Sequence, residues 1–172
     1  MAGHNLVLTG FMATGKSTVG RLLADRFGMG FVDTDVVIEE RHGPIPEIFE
    51  TKGEEAFRDM ERSLAAELGA RTGLVIATGG RMLLDPENLD ALARNGTIVC
   101  LVASPEEVHR RLSDDGSLAK RPLLDVDDPA ARIGELLAER APGYSPFIQV
   151  VTDGLTPEEV VGKVAAIWRA PS

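Results

Sequence analysis

Cysteine is nearly absent from this 172-residue chain, which has only Cys100. A single thiol excludes an internal disulfide framework and any all-cysteine metal site. It lies in the apolar run Thr97–Val102, the setting of a buried, inert thiol rather than a nucleophile. Histidine is also scarce: His4, His42 and His109 show no metal-ligand spacing and are assigned no role. Aromatic residues make up 5% of the chain, and the one tryptophan, Trp168, continues the stripe Val160, Val161, Val164 and Ala165. That spacing predicts packing rather than stacking on a base. Basic residues are outnumbered 18 to 27, for a formal charge of −9, so the chain lacks the field that condenses on nucleic acid or an anionic membrane. No stretch approaches the 18 apolar residues of a membrane span, and the start, Met1-Ala2-Gly3-His4-Asn5, has no secretion-signal pattern. The expectation is one soluble cytoplasmic domain over 1–172, without a linker or repeat. Any anionic small molecule must then be held by a few placed cations.

Short apolar or β-branched runs predict strands at Leu6–Thr9, Gly30–Val32, Leu74–Thr78, Thr97–Val102 and Ile148–Thr152. Helical patterns fall at Lys16–Phe27, Glu54–Leu68, Asp85–Ala93, Pro105–Leu112, Pro129–Arg140 and Pro157–Trp168. Ser104-Pro105-Glu106-Glu107 and Thr156-Pro157-Glu158-Glu159 each set a hydroxyl N-cap before a proline and a capping-box glutamate. Alternating strands and helices predict a three-layer α/β/α fold around a mainly parallel five-stranded sheet, with ligands at the strands' carboxyl ends. The polar stretch Ser113–Asp128 is a candidate mobile lid; the other reading, which composition alone favours, is a surface loop without a role.

Gly10-Phe11-Met12-Ala13-Thr14-Gly15-Lys16-Ser17-Thr18 matches G-x-x-x-x-G-K-[ST] between a strand and a helix. Such a loop turns its amides, from Gly10 through Ala13 and Thr14 to Thr18, onto phosphate oxygens at a helix N-terminus. Lys16 reaches the outer phosphates and the Ser17 hydroxyl is placed to ligate Mg²⁺. The loop predicts ATP binding. The N-K-x-D base-reading motif of GTPases is missing.

Asp33-Thr34-Asp35 follows the second strand. If the chain stays extended, alternation puts both carboxylates on one side, one for metal and one for a hydroxyl acceptor; the other reading is a helix N-cap pair before Val36–Arg41. Arg58 and Glu61 lie three apart on a predicted helix, so Glu61 is positioned to hold the guanidinium as a carboxylate clamp or merely as a surface ion pair. Ala77-Thr78-Gly79-Gly80-Arg81 ends the third strand with two glycines that permit close approach.

In this order the motifs resemble the shikimate kinase family of small P-loop kinases. The resemblance runs from the phosphate loop to Tyr144 and includes Asp33-Thr34-Asp35, Ile48-Phe49…Gly53-Glu54…Phe57-Arg58…Glu61, Ala77-Thr78-Gly79-Gly80, Arg121-Pro122-Leu123-Leu124 and Arg140…Tyr144. It implies a P-loop kinase fold and transfer of phosphate from ATP to the 3-hydroxyl of shikimate in aromatic amino-acid biosynthesis. It further implies that Asp33 supports Mg²⁺, Asp35 meets the acceptor hydroxyls and takes the proton, and Arg58 and Arg140 bind the acceptor carboxylate. Gly79 and Gly80 would line that pocket. Arg121 would descend with the lid onto the phosphate, and Arg111 would stack on adenine. A monomer acting on a carboxylated polyol is expected. A kinase for a gluconate-like acid or cyclitol, or an idle nucleotide-binding paralogue, is the alternative. One departure stands out, because Arg81 takes the place of the family's usual third glycine. A long hydrated guanidinium is less costly at a pocket rim than buried without a partner, so a rim position is expected. Pro44 and Pro46 stiffen the segment that caps the acceptor pocket in the family.

Overall fold

A single parallel sheet orders the chain. The computed structural model describes residues 4–169, the side chains of Lys120 and Pro122 excepted. Its strands are β1 (Asn5–Thr9), β2 (Gly30–Asp33), β3 (Leu74–Ala77), β4 (Gly96–Val102) and β5 (Ile148–Val151), in spatial order β2-β3-β1-β4-β5 with every pairing parallel. Parallel neighbours need crossovers, and the helices supply them: α1 (Lys16–Phe27), α2 (Thr34–His42), α3 (Ile45–Gly69), α4 (Pro86–Ala93), α5 (Pro105–Asp114), α6 (Pro129–Tyr144) and α7 (Pro157–Arg169).

Strand alternation sorts the core. Leu6 and Leu8 of β1 pack with Val75, Val99 and Leu101 against Leu23 of α1 and Val164 of α7. Val7 and Ile76 point the other way, onto Phe57, Leu64 and Leu68 of α3. Cys100 packs with Val108, Leu112 and Ile133 of α5 and α6, and burial pushes its thiol up to about 11. Trp168 packs against the α1–α7 side, its ring 4.8 Å from that of Phe27. The chain leaves central β1 first toward β2 and later crosses to β4, so the loop after β1 lies where the order reverses, the usual ligand crevice of such sheets.

The structure decides one open reading, in favour of the helix N-cap at Asp33, and corrects two sequence expectations. Thr34 and Asp35 are helical rather than extended, because the Asp33 carboxylate accepts from the Asp35 and Val36 amides and caps α2. Residues 45–52 are helical too, joined to the predicted Glu54–Leu68 helix across Gly53, whose φ of 85° and ψ of 170° break the path; a positive φ there favours glycine. The helix predicted to end at Arg140 continues through Pro142 to Tyr144. The stretch 113–128 is less loop-like than its polarity implies. It contains two short 3₁₀ turns, and Leu124 is buried against the α5–α6 core.

Candidate active site

The loop after β1 has backbone geometry that few sequences tolerate. Gly10 has φ 132°, and a Cβ there would run into the Leu101 carbonyl of β4. Ala13 and Gly15 take positive φ values of 58° and 93°. The Thr14 hydroxyl turns inward to donate to the Phe11 carbonyl, 2.8 Å, so Thr14 offers a ligand only its backbone. Gly15 caps α1 without any side-chain bond. The helix's own first turn supplies no acid, and its amides and the positive end of its dipole face the cleft. Lys16 donates to the Gly10 and Phe11 carbonyls, both at 2.7 Å, and burial brings its ammonium down to about 8.

This cleft of about 310 Å³ is lined by Lys16, Ser17, Asp33, Asp35, Gly80, Arg121 and Arg140 among others. Sequence-distant residues are thus brought together. Ser17 Oγ donates to Asp33 Oδ2 at 2.5 Å. Burial and the neighbouring Asp33 charge raise the Asp35 pKa, while Lys16 and Arg121 oppose that rise. Arg121 lies between the two 3₁₀ turns, its amide bonded to the Leu118 carbonyl and its own carbonyl to the Leu124 amide.

A smaller cavity of about 180 Å³ adjoins it through Asp35, Gly80 and Arg140, and is walled by Ile45, Phe49, Phe57, Arg58, Glu61, Gly79 and Arg81. Arg58 donates to Glu61 at 2.7 Å, as the spacing predicts, and Glu61 is only 2% exposed. Burial raises the Glu61 pKa against the pull of Arg58. The pair is therefore an internal strut rather than a surface ion pair. Gly79 donates its amide to Thr34 Oγ1 at 2.9 Å, and a Cβ there would lie 2.7 Å from Asp35 Oδ1 and 3.2 Å from Glu61 Oε1. At Gly79 the close approach is made by the protein's own carboxylates.

Arg140 is 7% exposed, with its guanidinium 5.1 Å from the Phe11 ring centroid. Among the described residues its Nε has no hydrogen-bond partner and no carboxylate pairs with it. The extension of α6 past Arg140 brings the Tyr144 hydroxyl to the Gly80 carbonyl. Phe11, Thr34 and Tyr144 stand inside the sequence motifs, which give them no role of their own. Only Tyr144 left a usable signal, since it stands one helical turn after Arg140.

A third cavity, about 400 Å³, opens on the other side of the phosphate loop between Arg110, Arg111, Thr152 and Pro157. Arg111 is bonded to the Ala13 carbonyl (3.0 Å), to Thr152 Oγ1 and carbonyl (3.1 and 2.9 Å), and to Glu107 (2.7 Å). It braces the loop against the end of β5.

The donor set near Ser17 and Asp33 fits a hard divalent cation that keeps several waters and phosphate oxygens. One hydroxyl and one carboxylate adjoin the phosphate loop, and among the described residues no group of three acidic, histidine or cysteine side chains forms a complete cage.

A parallel sheet with a phosphate loop at its reversal point, a buried lysine, and an aspartate beside an arginine-lined cavity defines a P-loop kinase for a small molecule. The shikimate kinase family model matches residues 12–168. The shikimate kinase of Thermodesulfovibrio yellowstonii is 45% identical over 162 residues, 93% of this chain and 92% of that one. The structure of shikimate kinase from Acinetobacter baumannii in complex with shikimate superposes with a TM-score of 0.86 at 35% identity, covering 96% of this chain and 92% of that one. A gluconokinase from Sinorhizobium meliloti shares the fold alone, at TM-score 0.65 and 19% identity with 96% and 90% covered. The chain belongs to the shikimate kinase family. It is an ATP-using kinase.

Proposed function

We propose that the chain, as one domain and a competent monomer, transfers the γ-phosphoryl group of ATP to the 3-hydroxyl of shikimate, giving shikimate 3-phosphate and ADP. The observation that carries the acceptor half is Arg140, a buried guanidinium with no carboxylate partner among the described residues, on the same cavity wall as Arg58 and Asp35. A buried cation left unpaired is costly, and an acceptor carboxylate supplies the missing partner. The retained arginine pair favours shikimate over an uncharged cyclitol.

With the carboxylate held by Arg58 and Arg140, the ring hydroxyls point toward Asp35 and Gly80. The acceptor oxygen forms a bond to the γ-phosphorus, the bond to the β,γ-bridging oxygen breaks, and ADP leaves with that electron pair. The acceptor proton passes to Asp35, whose raised pKa makes it a better base than an ordinary aspartate. Lys16, the free amides of the loop and Arg121 neutralise charge on the transferring group, in a step that is mostly positioning and electrostatics. Arg111 and its cavity receive the adenine side of ATP. Mg²⁺, held by Ser17 with Asp33, would supply charge neutralisation across the β- and γ-phosphates. Use of ATP accords with a cytoplasmic site of action.

A coupled ADP-release assay over shikimate, gluconate and a panel of polyol acids and cyclitols tests the proposal. Shikimate-dependent ADP release well above every other acceptor is expected. Equal or better turnover of gluconate would replace the acceptor, and no acceptor-dependent release would mark a binding paralogue.

A further inference from the structure

Glu54 opens the second segment of α3, directly after the break at Gly53. One of its oxygens, Oε1, is shared by two arginines. Arg58 reaches it through Nε at 3.3 Å and Nη2 at 2.9 Å, and Arg81 through Nη1 at 3.5 Å. Arg58 therefore spends its Nη1 on buried Glu61 and its whole side-on edge on Glu54. That side-on edge is the fork that binds a carboxylate with two parallel bonds. The Glu54 side chain is half exposed, whereas that of Glu61 is buried. Arg81 is also about half exposed and stands at the rim of the acceptor cavity, at the long end of hydrogen-bond distance from Glu54. A glycine at position 81 would offer no such partner.

We propose that Glu54 is a displaceable internal counter-ion of Arg58, and that Arg81 receives the Glu54 carboxylate when a carboxylated acceptor takes its place. Arg81 is a positioning residue: it holds an expelled carboxylate away from an incoming one and so sets how tightly a carboxylated acceptor binds. The inference rests on the shikimate reading above. Without Arg81, a displaced Glu54 would remain beside the acceptor's own negative charge, and the two would repel. With Arg81 present but Glu54 neutral, the arginine has nothing to receive and its contribution fades.

The test is a double-mutant cycle on the full chain, reading shikimate Kd by calorimetry and KM in the coupled assay. Because half-exposed ion pairs are weak, Arg81→Gln is expected to raise the shikimate Kd by about 3- to 5-fold, with Arg81→Lys retaining most of the affinity. Glu54→Gln is expected to lower Kd by a similar factor, and in its background Arg81→Gln has an effect under about 2-fold. The methyl ester of shikimate, lacking the anion, should respond to neither change. An Arg81→Gln loss that persists undiminished with Glu54→Gln means Arg81 contacts the acceptor directly, and overturns the hand-over. So does an Arg81→Gln variant that binds shikimate as well as or better than the parent. Turnover of shikimate by the unaltered enzyme together with additive Kd effects overturns the hand-over alone. An enzyme that neither binds nor phosphorylates shikimate overturns the parent reading as well.

Discussion

The two halves of the cleft are built from different materials. The phosphate side is mainly backbone, with positive-φ residues at Gly10, Ala13 and Gly15, amides at the start of α1, and a lysine bonded to two carbonyls of its own loop. The acceptor side is assembled from side chains on four separate pieces of chain. Asp35 comes from α2, Arg58 and Glu61 from α3, Gly79 to Arg81 from the end of β3, and Arg140 from α6. Backbone geometry is fixed locally by nine consecutive residues and has one solution. A side-chain constellation depends on every helix that carries it, and charge can be redistributed within it, as the shared Glu54 illustrates. Under the proposed function, recognition of a common donor belongs to the half built from backbone, and discrimination between acceptors to the half built from side chains.

Substitutions should separate the halves, beginning with the largest effect. Lys16→Ala should cost turnover by about 10³-fold or more while circular dichroism stays native, because charge stabilisation of the phosphoryl group is the principal catalytic term. A variant that keeps the parent kcat breaks the assignment of the phosphate side. Gly79→Ala should reduce kcat by roughly 10- to 100-fold, since its methyl group pushes the Asp35 carboxylate from its seat, and a misplacement of about 1 Å costs on that order. ATP binding, measured by calorimetry, should be nearly unchanged.

Asp35→Asn joins loss of function to a gain in stability. Burial and Asp33 raise the folded-state pKa above that of the unfolded chain. A carboxyl shifted upward favours folding where it is protonated and loses that contribution as pH rises through its folded value, so the ionised group weakens the fold at pH 7. The asparagine variant should therefore show a higher Tm than the parent at pH 7, with the gap closing as the pH falls toward the ordinary aspartate range. In the parent, the acid limb of kcat/KM should lie above that range. The smallest effect concerns Cys100. With its pKa raised to about 11 by burial, the thiol should react with iodoacetamide at pH 8 far more slowly in the native protein than in denaturant.

Legibility in the sequence follows the same division. The phosphate loop, α1 to the residue, and all five strands to within one or two residues could be read because local periodicity and glycine placement determine them. The first turn of α2 was harder. Asp33 serves both readings, capping the helix through one oxygen and meeting Ser17 through the other, and local sequence weighs these equally. Residues 45–52 hid their helix behind Pro44, Pro46 and Gly53, which resemble loop punctuation, although proline is well tolerated in a first helical turn. On the acceptor side the Arg58–Glu61 spacing was visible. The burial that makes it a strut was not, because it depends on β3 and α2 arriving above it. Nothing local reveals that Phe11 lies beneath Arg140 or that Thr34 holds the Gly79 amide. Arg81 could be placed at the rim on solvation grounds alone, and its side chain is 46% exposed there; its partner Glu54, 27 residues away, could not be foreseen.

The division of labour is tested most directly by titrating ATP and shikimate separately against Arg140→Ala. The account predicts that shikimate binding weakens by about 2–5 kcal/mol, the cost of removing one partner of a buried charge pair, while ATP affinity hardly changes. Equal losses for the two ligands would contradict it and move Arg140 to the phosphate side.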